Sequence, residues 1–131
     1  MIKITFCLRR KPGMSFEEFS DYWLNQHGPL VRSHQKALRM VRYVQVHAME
    51  TPLTGPMQGA RKAPAPYDGV AELWWNSMED LEASMNDPAA RVAGRELLED
   101  EAKFIDLPNS PLWFGQEHVI VGKSPASDGP A

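Results

Sequence analysis

The chain has a single cysteine, Cys7, so no disulfide can close within it. Its cysteine and four histidines nowhere fall at zinc-site spacing. No glycine pattern fits a phosphate or dinucleotide cradle, so a chemistry without nucleotide cofactor or metal is expected. No apolar run approaches the length of a membrane span, and the first residues read as a strand rather than a signal peptide. A clustered basic face is also missing. Net charge is −3, and the one short basic run, Arg9-Arg10-Lys11, ends a strand-like segment and reads as a solvated end. Sustained nucleic-acid binding therefore lacks its electrostatic footprint. Together these absences lead us to expect a cytoplasmic protein whose partners are neither membranes nor nucleic acids.

What is present suits one folded domain. The 131 residues are 43% hydrophobic and 24% charged, within the range of ordinary globular chains. Residues 2–9, IKITFCLR, alternate as a strand, with Ile2, Ile4, Phe6 and Leu8 on one face. After a KPG turn, Ser15 and Glu18 form a capping box for a helix. Its row Phe16, Phe19, Trp23, His27, Leu30, His34, Leu38 steps by three and four, as a helix does. Gly28-Pro29 interrupts that row, which predicts one helix ending near Gln26 and another starting at Pro29.

Residues 39–49 read as a second strand, apolar on both faces and so expected to be covered on both. Residues 50–68 hold four prolines and two glycines and are expected to form an aperiodic loop, a lid or rim. Residues 69–76, GVAELWWN, give a third strand. A helix capped by Ser77, with Met78, Leu81 and Met85, follows; Asp87-Pro88 restarts it with Val92, Leu97 and Leu98 as expected core. Residues 114–121 predict the fourth strand. The order β-α-β-β-α-β is the ferredoxin-like pattern, an α+β domain over residues 1–121 with a flexible tail at 122–131. One sheet face would stay open, and its apolar residues predict a second copy against it.

The opening IKITFCLRRKPGMSFEEFSDYWLNQHGPLVR resembles that of EthD-domain proteins of the dimeric α+β barrel superfamily. The carrying residues are the pair Tyr22 and Trp23 followed by His27, Pro29 and Leu30. DGVAELWW and the Phe104-Ile105-Asp106 triplet add to the likeness, which runs from residue 1 to about 121. The resemblance implies a homodimer, a four-stranded antiparallel sheet with helices on one face, and a cavity between sheet and helices. It also implies a range of roles, from accessory proteins of degradation pathways to cofactor-free isomerases and dehydratase-like enzymes.

His27 is the foremost candidate for proton transfer, since an imidazole titrates near neutral pH. The alternative is a buried histidine that ties down the broken helix. Asp106, between Ile105 and Leu107, either orients His27 or caps its own loop. Tyr43 and His47 share a strand face with Gln45 and could bind a carbonyl or hydroxyl, or make only interface hydrogen bonds. Arg42, on the other face, either holds an acidic substrate or pairs with Glu72, the pairing being favoured. Tyr22, Trp23 and Trp74 are candidate walls for a planar ring. The expected function is a cofactor-independent lyase, isomerase or dehydratase moving protons on a hydrophobic, oxygenated ring compound of catabolic or secondary metabolism. The alternative is a ligand-binding or accessory protein of a degradation pathway without turnover.

Overall fold

The computed structural model describes residues 1–123, so the expected tail lies, from 124 on, outside the described residues. Strand β1 (Ile2–Leu8) leads into α1 (Phe16–Tyr22), a π-helical turn (Trp23–His27), α2 (Gly28–Ser33) and α3 (Gln35–Leu38). Then come β2 (Arg42–His47), α4 (Thr54–Ala60), β3 (Gly69–Trp75), α5 (Met78–Met85), α6 (Pro88–Glu101), a 3₁₀ turn (Leu107–Asn109) and β4 (Leu112–Gln116). The four strands form one antiparallel sheet in the order β2-β3-β1-β4. This is the expected ferredoxin-like arrangement, with β2 and β4 as free edges.

The register assigns the faces. Ile4 lies opposite Leu73 and Phe114, and Leu73 opposite Tyr43, so these side chains all point to the helices. By the same alternation Gln45, His47, Ala71 and Trp75 share the helix face. Lys3, Cys7, Arg42, Glu72 and Trp74 face the other way. The core lies between the helix layer and the inner face, around Phe6, Leu8, Phe19, Trp23, Phe104 and Ile105. A second cluster around Val31, Met40, Trp75, Leu81 and Leu97 continues it.

The caps read in the sequence are present. Ser15 Oγ accepts from the Glu18 amide and Glu18 Oε1 from the Ser15 amide. Ser77 and Asp87 cap α5 and α6 by accepting from the Asp80 and Ala89 amides, with Pro88 opening α6.

Several expectations are corrected. The Gly28-Pro29 pair does not split the first helix; the chain stays helical through a π-turn in which the Gly28 amide donates to Trp23 O. Strand β4 stops at Gln116, so Val119, Ile120 and Val121 lie outside the sheet and exposed. Within the 50–68 segment the chain forms α4 rather than a wholly aperiodic loop. Val92 and Leu98, expected in the core, are exposed; α6 instead buries Ala90, Ala93, Leu97 and Asp100.

The π-turn has a physical cause. A proline ring in a helix clashes with the carbonyl four residues back, here that of Asn25, and a widened turn relieves the clash. It also changes which residues line up. The buried row is Phe19, Trp23, His27 and Val31, each four apart. In a regular helix such a row drifts around the axis by about 40° per step. The wider turn takes up the surplus residue and keeps Trp23, His27 and Val31 facing the sheet.

Candidate active site

His27 is only 4% exposed, closing the π-turn between the sheet and α6. Its Nδ1 lies 2.8 Å from Asp100 Oδ2. Burial alone would raise the Asp100 pKa. Hydrogen bonds from Tyr22 and His27 and the nearby Lys103 outweigh it and hold the carboxyl below its ordinary value. Asp100 is therefore ionised and only accepts, so the Nδ1 proton belongs to His27. Desolvation lowers the His27 pKa despite Asp100, which favours the neutral ring. A neutral imidazole with its proton on Nδ1 carries its lone pair on Nε2.

Asp100 is held from its other side by Tyr22, whose hydroxyl donates to Oδ1 at 2.5 Å. Burial, and then that hydrogen bond, push the Tyr22 pKa up to about 12, so the phenol stays a donor. The imidazole also rests near the ring of Phe104, with centroids 5.1 Å apart.

Next to Asp100 in sequence, Glu101 has the opposite character. Desolvation, with the Asp100 charge beside it, raises its pKa to about 7. Two consecutive carboxyls are thus driven apart: one a fixed anion, the other able to carry a proton near neutrality. His27 and Glu101 both line a narrow cavity of about 40 Å³, whose other walls include Phe6, Trp23, Tyr43, Leu73 and Ile105.

Tyr43 brings a third polar atom to this cavity. Its oxygen accepts from Gln45 Nε2 at 2.9 Å, and the same amide nitrogen donates to Trp23 O at 2.8 Å. With the Gln45 amide protons spent, its Oε1 must accept from His47 Nε2, at 2.7 Å. His47 Nδ1 then accepts from the Ser20 hydroxyl at 2.6 Å. The polar row Tyr43-Gln45-His47 is therefore a directed chain ending on the tyrosine. The Tyr43 proton is left to point elsewhere, and burial keeps the phenol protonated by raising its pKa. Gly28 lies against this chain: a Cβ there would stand 3.3 Å from Gln45 Nε2.

The structure brings His27, Trp23 and Tyr43 around one cavity, with Tyr22 behind His27 through Asp100. His47 sits one layer back, stacked on Trp23 with centroids 4.2 Å apart. Two expected placements are corrected. Asp106 does not meet His27; it begins the 3₁₀ turn, where its Oδ2 accepts from Asn109 Nδ2, and the partner of His27 is Asp100. Trp74 faces away from the cavity, on the open side of the sheet, beneath Lys3 and Arg42. Glu72 pairs with Lys3 at 2.5 Å rather than with Arg42.

Asp100 and Glu101 went unread in the sequence, although for Asp100 a sign of burial existed. The run Ala90, Ala93, Leu97, Asp100, Phe104 steps by three and four, which places Asp100 on the buried stripe of α6. Among the described residues, no group of three or more His, Cys, Asp or Glu side chains is arranged to hold a metal ion. No helix among them is long and apolar enough to cross a membrane.

The family model for the EthD domain matches residues 11–108, spanning α1 into the 3₁₀ turn and so every side chain of this cavity except Phe6 and Leu8. The chain belongs to the EthD family. Among its EthD relatives, the conidial pigment biosynthesis dehydratase EthD of Metarhizium robertsii is 27% identical, over 94% of this chain and 88% of that protein. A decarboxylase of Claviceps purpurea is 26% identical, over 92% and 87% of the two chains. An EthD family protein from Bacillus halodurans shares the fold at a TM-score of 0.58 and 19% identity, covering 90% of this chain and all of the other.

Proposed function

We propose that this EthD protein is a cofactor-independent enzyme that moves protons on a small, hydrophobic, oxygenated ring compound, as a dehydratase does. One observation carries the reading: a neutral imidazole of fixed tautomer and a carboxyl that holds a proton near pH 7 line the same apolar cavity. That is a base and an acid on one substrate, with no charge stranded in the resting site.

In this scheme His27 Nε2 removes a proton from the carbon beside a ring carbonyl. The released electron pair forms the new double bond as the neighbouring C–O bond breaks. The departing oxygen takes the Glu101 proton and leaves as water. The His27 proton then returns to Glu101, restoring both groups. Tyr43 donates to the carbonyl oxygen as negative charge gathers there. Asp100 stays ionised throughout; it holds the ring and stabilises the imidazolium. The dehydratase and decarboxylase names among the relatives support proton-transfer chemistry of this kind.

The test is a panel of hydroxylated ring ketones, followed by mass spectrometry for loss of one water. His27→Ala and Glu101→Gln should each lower kcat by about 10²–10⁴, with the circular dichroism spectrum retained. Full turnover in His27→Ala would refute the assignment. Tight binding of the panel without turnover in the parent would point instead to a ligand-binding role.

We also propose that the chain works as a homodimer. Val46 and Trp113, on the open face of the sheet, are each about half exposed, and a second copy would cover them.

A further inference from the structure

The cavity at His27 is too small for the compound just described. It encloses about 40 Å³, against the ~300–1,000 Å³ usual for a small-molecule site. A groove of about 460 Å³ meets that requirement, and it runs along the free edge of β2 beneath α2 and α3. Val31 and Tyr43 line both spaces, so these two side chains are the wall between them.

Leu24, Val31, Met40 and Val41 supply the apolar part of the groove, and Arg32, Gln35, Arg42 and Gln45 the polar part. Its charged residues are Arg32 and Arg42, and no aspartate or glutamate lines it, although the chain as a whole carries a net charge of −3. Arg42 is already occupied, its guanidinium 5.4 Å from the centre of the Trp74 ring on the open face. Arg32 is exposed on α2, one turn beyond Gly28, and makes no ion pair among the described residues.

We infer that the substrate is a ring anion: its ring lies in the β2-edge groove, its anionic oxygen sits on Arg32, and only its reacting atoms pass Val31 and Tyr43 to reach His27. This rests on the reading of His27 and Glu101 given above, but it concerns binding and is tested separately. A carboxylate gains most from Arg32, because a guanidinium can hold both of its oxygens.

The probes are 2-naphthoate and its neutral counterpart 2-naphthamide, titrated against the full chain near pH 7.5 at low salt, by calorimetry or tryptophan fluorescence. The parent should bind the naphthoate about tenfold more tightly than the amide, and Arg32→Gln should abolish that preference while leaving amide binding alone. His27→Ala should keep the preference. Equal binding of the two probes by the parent, an unchanged ratio in Arg32→Gln, or no binding of either would each overturn the inference. A preference that depends on Arg32, beside turnover that ignores His27, would uphold the groove and refute the catalytic reading. The opposite pair of results would do the reverse.

Discussion

Asp100 illustrates how much one side chain decides. It accepts from Tyr22 on Oδ1 and from His27 on Oδ2, so each oxygen has its own donor. In Asp100→Asn a single carbonyl oxygen remains. If Tyr22 keeps it, the amide NH₂ faces His27 and donates to Nδ1. The imidazole proton must then move to Nε2, and the lone pair leaves the cavity. Activity should fall by about 10² or more, while the shape of the site is kept. Nitrogen NMR of the His27 ring should show the tautomer exchanged; an unchanged tautomer with lost activity would mean that Asp100 acts some other way. The sequence pointed to His27 through its place beside Gly-Pro. The stripe of α6 could mark Asp100 as buried but not pair it with His27, because the two stand 73 positions apart and only the packing of α6 on the π-turn joins them.

Strands and helices were more legible than their ends. The capping residues Ser15, Ser77 and Asp87 marked helix starts because a side-chain oxygen and a backbone amide three or fewer residues apart need no tertiary help. Removing the first cap, Ser15→Ala, should cost about 1 kcal/mol in urea denaturation. The π-turn was not legible, since proline beside glycine serves equally to end a helix or to widen one. Its outcome depends on Trp23, which packs where β3 has no side chain. A Cβ on Gly69 would lie 2.4 Å from Trp23 Cζ3 and 2.7 Å from Val46 O. Gly69→Ala should therefore destabilise the protein by about 1–3 kcal/mol through overpacking, read as a lower urea midpoint. A variant of undiminished stability would show that the indole has room to move. The end of β4 was also misplaced: Val119-Ile120-Val121 has strand composition, but among the described residues no strand pairs with it.

For the molecule as a whole, half-buried Glu101 and buried His27 make stability depend on pH in opposite senses. Glu101 holds its proton more tightly when folded than the ordinary carboxyl does, with a folded pKa of about 7. Its protonation favours the fold fully below the ordinary carboxyl range, and that contribution is lost as pH rises through about 7. His27 is shifted down, so its effect has the other sign: the fold loses stability as pH falls below the ordinary histidine value. Glu101→Gln mimics the protonated carboxyl at every pH. Its melting temperature relative to the parent should therefore rise between about pH 5 and pH 8, and a flat difference across that range would contradict a proton-holding Glu101. The proposed dimer is checked by sedimentation, which should report about twice the chain mass, and a substitution such as Val46→Glu on the open face should halve it. From the sequence alone came the α+β order, the caps, the split of each strand into two faces, and His27 as the residue to watch, because periodicity and capping are local properties of a chain. Which carboxylate meets His27, that Trp74 turns away from it, and that His27 and Glu101 line one narrow cavity were decided only by folding. Those facts depend on how a helix and a sheet distant in sequence lie against each other, and no local pattern encodes that.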